Sequence, residues 1–134
     1  MTPVICIGES EHDTAGAYLS FLSNQIKSAF SGVSRNHFSN IIIAYEPIWA
    51  IGKNAEDAMS SRKLHETVLY IQKILGELCG RETALNVRII YGGSVKEGNA
   101  EDLIKNGEVK GFLVGGASLS PETFNPILKI VDSL

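Results

Sequence analysis

The sequence predicts an α/β fold in which four parallel strands alternate with four helices. Two observations carry this prediction. Four short apolar runs end in glycine or in a polar residue, and the longer segments that follow them repeat apolar residues at helical spacing. A strand, a helix and a second strand in this order form a βαβ unit. The 134 residues are therefore expected to make one domain, 1–134, built on a parallel sheet.

The first two units contain the longest apolar runs. The strand Val4–Ile7 is expected to lead into a helix within residues 15–30. Its apolar face would consist of Tyr18, Phe21, Leu22, Ile26, Ala29 and Phe30. The second run, Ile41–Glu46, is continuous and β-branched, which is typical of a strand buried on both faces. Asn54 or Asp57 is expected to cap the next helix. The buried stripe of that helix would be Leu64, Val68, Ile71, Leu75 and Leu78.

The last two units follow the same order. The strand Val87–Tyr91 precedes a short helix that should begin near Asn99. The fourth strand is expected over Gly111–Val114. Ser120 would then be the N-cap of the last helix, with a proline at its first position. Pro126 would either kink that helix or mark its true start.

The composition is that of an ordinary globular protein, with 44% hydrophobic and 20% charged residues. A formal charge of −3 gives no reason to expect nucleic acid or an acidic membrane surface as a partner. The two cysteines have no metal-type spacing, so we expect no disulfide framework and no metal. The N-terminus has neither a basic region nor a long apolar segment, which predicts a cytoplasmic protein without a signal peptide.

Glycine-rich loops follow two of the predicted strands. The sequence GGS stands at residues 92–94, and GGAS stands at residues 115–118. Glycine lets main-chain N–H groups approach an anion closely, and a helix N-terminus just beyond adds a favourable dipole. The loops are therefore candidates for a phosphate site. Tight turns between strand and helix would explain the same glycines equally simply.

Glu46 ends an otherwise apolar strand and precedes a proline. A carboxylate at the carboxyl end of a parallel strand lies where α/β folds build their active sites. Partial burial there would raise its basicity, which suits a general base. The alternative is a strand-end glutamate that pairs with a lysine or with a backbone amide.

Four segments together resemble the triosephosphate isomerase family. The segment AYEPIWAIG at residues 44–52 is similar to the family signature around its catalytic base. YGGSV at 91–95 and GFLVGGASL at 111–119 resemble its seventh and eighth loops, and CIGE at 6–9 resembles the end of its fifth strand. All four occur in the family's order and at about its spacing. The resemblance implies half of a TIM (β/α)8 barrel, namely its C-terminal half with the fifth to eighth βα units.

The resemblance also implies roles for individual residues. Glu46 would be the base that moves a proton between adjacent carbons of a triose phosphate, a step of glycolysis and gluconeogenesis. The leading hinge of a lid loop would be Pro47, Ile48 and Trp49. The substrate phosphate would receive backbone N–H groups from Gly52, Ser94, Gly115 and Gly116. Cys6 would sit beside the site, and Glu9 would be a supporting carboxylate. No cofactor is implied.

The sequence also departs from the family. The family uses a lysine after its first strand and an electrophilic histidine after its fourth, and no segment here matches those strands. His65 falls in a predicted helix and His37 in a connector, so neither replaces that histidine. His12 follows the first strand and would reach the mouth of a barrel, but an isolated loop histidine is usually only solvated.

Two loops are altered as well. After Gly52 the family continues with threonine and glycine, whereas this chain has Lys53 and Asn54, and the next helix is about one residue closer. The loop after Glu9 lacks the arginine that the family usually places there. The first change puts closure of the lid in doubt, and both changes indicate relaxed demands on catalysis or different neighbours.

Three functions are compatible with these observations. The chain would join a separate N-terminal half to complete an isomerase barrel, or it would self-associate, as a homodimer or larger, into a phosphate-binding half-barrel without the chemistry. The third possibility is an inactive fragment. The expected partners are therefore a second copy or an N-terminal half-barrel, together with a small phosphorylated ligand.

Overall fold

A computed structural model describes residues 1–54 and 58–134. The strands are β1 (Val4–Ile7), β2 (Ile42–Tyr45) and β3 (Arg88–Tyr91). The helices are α1 (Ala17–Ala29), α2 (Ser61–Cys79), α3 (Arg81–Asn86), α4 (Glu97–Gly107) and α5 (Pro121–Asp132). Short 3₁₀ turns cover Arg35–Asn40, Ile48–Ala50 and Gly116–Leu119. Within the described residues, no helix is both long and apolar enough to cross a bilayer.

The three strands form one parallel sheet in the order β1-β2-β3. Val4 lies opposite Ile42, which in turn lies opposite Arg88. Consecutive parallel strands need a crossover connection, and α1 and α2 provide it. The expected α/β fold with parallel strands is thus confirmed.

The fourth predicted strand, Gly111–Val114, was wrong as a full strand. It forms a single bridge, between Tyr91 and Phe112. The Lys110 N–H donates to the Ile89 carbonyl at 2.8 Å, and the Leu113 N–H donates to the Tyr91 carbonyl at 2.9 Å. The paired stretch is short because Gly111, with a φ of 153°, departs from strand geometry at one end and the 3₁₀ turn begins at Gly116 beyond the other.

The two faces of the sheet have different surroundings. Ile43, Tyr45, Ile89 and Tyr91 point toward the helices and are buried in the core. Alternate residues point to the other face, which is partly open to solvent, although Ala44 on it is fully buried. This open face contains Val4 at 46% exposure and Leu113 at 37%, with Ile42 and Ile90 half-buried between them.

The second helix buries the predicted stripe but begins elsewhere. Leu64, Val68, Ile71 and Leu75 are buried, and Leu78 is partly buried. The N-cap is Ser60, whose side-chain oxygen accepts the Lys63 N–H at 3.4 Å. Asn54 was therefore wrong as the cap, because six residues separate it from the first turn. Asp57 lies outside the described residues.

The predictions for the other helices differ from the structure in smaller ways. Phe21 of α1 is 49% exposed, whereas its neighbour Leu22 is fully buried. The α4 helix begins at Glu97, two residues before the predicted start. Pro126 does not interrupt α5. It lies close enough to the start of the helix that its missing N–H removes only the bond to the carbonyl of Glu122, in the first turn.

Candidate active site

The loops at the carboxyl ends of the strands enclose a cleft of about 660 Å³. All four residues proposed to bind phosphate line it: Gly52, Ser94, Gly115 and Gly116. They come together because the carboxyl ends of parallel strands meet at one edge of a sheet. The first turn of α4 and the start of α5 complete the walls.

The cleft offers main-chain donors more than side-chain charge. Within the described residues, the N–H groups of Gly52, Gly115 and Gly116 form no hydrogen bond. Gly52 has a φ of 71°, a left-handed conformation that favours glycine. Lys53 and Lys96 also line the cleft, but Glu97 and Glu122 oppose them, so the formal side-chain charges cancel. An anion here would depend on free amides and on the dipole of α4.

Ser94 is already engaged by the segment that follows Trp49. Its N–H donates to the Ala50 carbonyl at 3.1 Å, and its hydroxyl oxygen accepts the Lys53 N–H at 2.8 Å. The Ser94 N–H can therefore reach a phosphate only if Ala50 moves away. Ser94 thus connects the cleft to the proposed lid.

Asn99 fixes the loop that carries Ser94, a role the sequence did not reveal. Its side-chain oxygen accepts the Lys96 N–H at 2.8 Å, as in one half of a capping box. Its amide nitrogen donates to the Ser94 carbonyl at 3.0 Å. The spacing of Lys96 and Asn99, three residues apart at a helix start, was the available signal.

Glu46 lies against the wall of this cleft. Its main-chain N–H donates to the Ile7 carbonyl at 2.7 Å, which continues the pairing of β1 with β2. A methyl group added at Gly92 would lie 2.9 Å from Glu46 Oε1 and 2.5 Å from its Cγ. Gly92 itself lines the cleft, so only this glycine separates the half-buried carboxylate from the phosphate loops. No lysine pairs with Glu46 among the described salt bridges.

Cys6 stands beside Glu46 on the open face of the sheet. A hydrogen bond to Glu46 raises the pKa of the Cys6 thiol, and partial burial and the Glu46 charge add to the effect. The thiol is exposed, and its raised pKa favours the protonated form, which is able to donate to the carboxylate.

Glu9 is buried, with 2% of its surface exposed, and it organises a polar cluster. Its Oε1 accepts the Tyr45 hydroxyl at 2.9 Å and the Trp49 indole N–H at 2.8 Å. His12 Nδ1 lies 3.2 Å from the same oxygen. Burial and the charge of Glu9 raise the pKa of the Tyr45 hydroxyl, which therefore remains a donor.

The three predicted hinge residues are attached to this cluster through Glu9. Pro47 is buried, Ile48 is exposed, and Trp49 is partly buried in the 3₁₀ turn Ile48–Ala50. The Ile48 N–H donates to the Glu9 carbonyl at 2.9 Å. Main chain and side chain of Glu9 thus both hold the hinge segment.

The other two histidines lie away from the cleft. His65 is on α2, 3.7 Å from a carboxylate oxygen of Glu108. His37 lies in the 3₁₀ turn Arg35–Asn40. Neither is among the residues that line the cleft.

Comparison with known proteins shows the family to which this chain is related. The family model described as triosephosphate isomerase matches residues 1–131. The triosephosphate isomerase of Lactiplantibacillus plantarum is 44% identical over 125 residues, covering 92% of this chain and 49% of the relative. That of Lactobacillus helveticus is 42% identical over 133 residues, covering 98% and 52%. That of Roseiflexus castenholzii is 39% identical over 136 residues, covering 100% and 51%. The chain spans about half the length of these curated relatives, and it belongs to the triosephosphate isomerase family.

Proposed function

We propose that this chain is the C-terminal half of a triosephosphate isomerase barrel and carries its base and its phosphate site. In this proposal the completed barrel interconverts dihydroxyacetone phosphate and glyceraldehyde 3-phosphate. The supporting observation is that Gly92 lines the glycine-walled cleft and lies so near Glu46 that a Cβ added to it would stand 2.9 Å from Oε1. A phosphate bound in the cleft would place the carbons of a short substrate beside that carboxylate.

The chemistry assigned to Glu46 is a proton transfer. The carboxylate removes a proton from the carbon next to the substrate carbonyl. The C–H electrons form the double bond of an enediolate, and negative charge collects on the carbonyl oxygen. The hydroxyl proton on the carbon that was deprotonated moves to the former carbonyl oxygen through donors of the missing strands. The carboxyl group returns the first proton to the former carbonyl carbon, and the new carbonyl forms on its neighbour. Phosphate binding in the cleft would hold the substrate carbons beside Glu46. The proton transfer would then proceed as if both groups belonged to one molecule.

The developing negative charge needs donors, and no cationic side chain of the described residues pairs with Glu46. Preorganised donors contribute roughly 3–4 kcal/mol each, or about 10²–10³ in rate. The family resemblance assigns them to a lysine and a histidine on other strands. We therefore expect little or no isomerase activity from the 134 residues alone.

The open face of the sheet supports the proposal that further strands complete the barrel. Val4, Ile42, Ile90 and Leu113 form an apolar surface that no helix of the described part covers. Burying each large apolar side chain contributes roughly 1.5–3 kcal/mol, so several of them favour association. A closed barrel would hide this face and both edges of the sheet.

The same open face supports a second candidate function. Two copies of the chain would cover each other's apolar faces and form a phosphate-binding dimer without isomerase chemistry. Such a dimer places two Glu46 side chains in one barrel, where negative charge opposes the reaction. Light scattering of the purified chain separates the cases, since a soluble, well-folded monomer at micromolar concentration contradicts self-association.

An NMR titration with inorganic phosphate and with glycerol 3-phosphate tests the cleft. We expect shifts of the main-chain N–H signals of Ser94, Gly115 and Gly116. Gly116→Val should abolish them, because a branched side chain would fill the space beside the amides. Leu119→Ala is the matched control in the same 3₁₀ turn, since Leu119 is 87% exposed and does not line the cleft. Unchanged Ser94 and Gly116 signals at high ligand concentration would count against the phosphate site.

A further inference from the structure

A histidine touches the buried carboxylate that holds the hinge segment. His12 Nδ1 lies 3.2 Å from Glu9 Oε1, the oxygen that also accepts the Trp49 indole N–H at 2.8 Å. The His12 ring lies 5.3 Å from the Trp49 ring, between centroids, and 3.9 Å from the Tyr18 ring. His12 and Trp49 are therefore neighbours in space as well as partners of one carboxylate.

The carboxylate is incompletely satisfied. Glu9 Oε1 accepts hydrogen bonds from Tyr45 and Trp49 and lies 3.2 Å from His12 Nδ1, whereas the buried Oε2 has no partner within the described part of the chain. A buried carboxylate with few partners gains most from a positive charge beside it. His12 is the neighbour able to provide that charge, since the side chains of Tyr45 and Trp49 are neutral donors.

The charged and titratable groups around His12 come from its own loop, from α1 and from α2. Asp13, next in the chain, is bound to the first N–H groups of α1 and is lowered in pKa, mainly by those bonds, with a small contribution from His12. Tyr18 of α1 stacks on the imidazole. Burial raises the pKa of Tyr18, as do the charges of Glu9 and Glu66, the latter on α2, with smaller contributions from Asp13 and from the α2 residue Tyr70. Glu9 and Asp13 are therefore the carboxylates beside His12, and Glu66 acts on the neighbouring Tyr18.

We propose that His12 is a pH-dependent positioning residue: its protonated form locks the Trp49 hinge onto Glu9, and its neutral form releases the hinge. A hydrogen bond from a charged donor to a carboxylate is about twice as strong as one between neutral groups. A charged His12 bound to Glu9 also lies 5.3 Å from the Trp49 ring, between centroids, where an aromatic face attracts a cation. The hinge is therefore held more firmly below the histidine titration range. The hold weakens as the pH rises through that range.

The inference goes beyond the proposed isomerase function and is tested without ligand or turnover. Opening of the Trp49 turn moves Ala50, whose carbonyl occupies the Ser94 N–H. Release of the hinge at higher pH would thus also free a donor of the proposed phosphate site. A failed isomerase assay would leave the His12 contact unaffected, and a failed His12 test would leave the phosphate site unaffected.

The test uses the fluorescence of Trp49, the only tryptophan of the chain. The full chain is titrated from about pH 5 to 8, the range in which histidine changes charge, and acrylamide quenching is measured at each pH. We expect a sigmoidal change in emission and about fivefold easier quenching at the high end, since a charged donor is replaced by a neutral one. The NMR signal of the His12 imidazole should titrate with the same midpoint.

Two variants provide the control. In His12→Gln the side chain keeps an N–H donor but cannot titrate, so the pH dependence should disappear while the protein stays folded. His37→Gln should behave as the wild type, since His37 lies in a separate 3₁₀ turn. Emission and quenching that stay flat with pH in the wild type would overturn the proposal. So would a midpoint different from that of the His12 signal, or a transition that persists in His12→Gln.

Discussion

Replacing Gly8 with alanine should destabilise the fold strongly. An added Cβ would lie 1.9 Å from the Glu46 carbonyl oxygen and 2.4 Å from its carbonyl carbon. Both are main-chain atoms, so no side-chain rotation relieves the contact. The ends of β1 and β2 would have to separate by about 1 Å, which strains a packed core by about 1–3 kcal/mol. The adjacent bond from the Glu46 N–H to the Ile7 carbonyl, 2.7 Å long, would break at a further cost of about 1 kcal/mol.

Urea unfolding, followed by circular dichroism at one fixed protein concentration, measures this cost. A total of about 2–4 kcal/mol lowers the midpoint by about 1–2 M at a typical slope. Gly98→Ala is the matched control, because a Cβ there meets nothing within 4 Å. Gly98 lies in α4, so this second substitution should raise stability by about 0.5–1 kcal/mol. The reasoning is refuted if Gly8→Ala unfolds within about 0.5 kcal/mol of the wild type, the range of ordinary surface substitutions.

Two further predictions concern side chains around the site. Because the pKa of the Cys6 thiol is raised, chiefly by its hydrogen bond to Glu46, its alkylation by iodoacetamide should need a higher pH than that of a free cysteine. In a Cys79→Ser background, Glu46→Ala should accelerate the reaction about threefold or more at pH 8, whereas an unchanged rate would show that Glu46 does not control the thiol. Asn99→Ala should destabilise the chain by about 1 kcal/mol and weaken phosphate binding, because it releases the Ser94 loop. Asn99→Asp keeps the capping acceptor but loses the donor to Ser94, so NMR titration of this variant should show weakened binding with the helix intact.

The sequence predicted three of the four strands and overestimated the fourth. The run Ile41–Glu46 is apolar up to Glu46, and its residues Ile42–Tyr45 became the central strand of the sheet, paired with β1 and β3. The run Gly111–Val114 is also largely apolar but forms a single bridge. Composition describes how well a segment fits a sheet, but a strand also needs a partner, which lies outside its own sequence.

The sequence predicts the cleft best where a loop follows its strand directly. Glycine loops directly after parallel strands must converge at one edge, and this placed Ser94 and Gly116 in one cleft. The contact between His12 and Glu9 depends on how the loop after β1 folds back over the hinge, and no periodicity encodes that path. The cap at Ser60 was missed for a related reason, because several polar residues precede α2 and only packing selects among them.

Complementation of activity tests the central proposal most directly. The chain is mixed with a separately produced N-terminal half of one of the relatives named above, and isomerase activity is measured with each part alone and with both. The account predicts negligible activity for the chain alone, activity on mixing, and loss of that activity with Glu46→Gln. Near-normal turnover by the chain alone, removed by the same substitution, would contradict it, because the missing donors would then have to come from this chain.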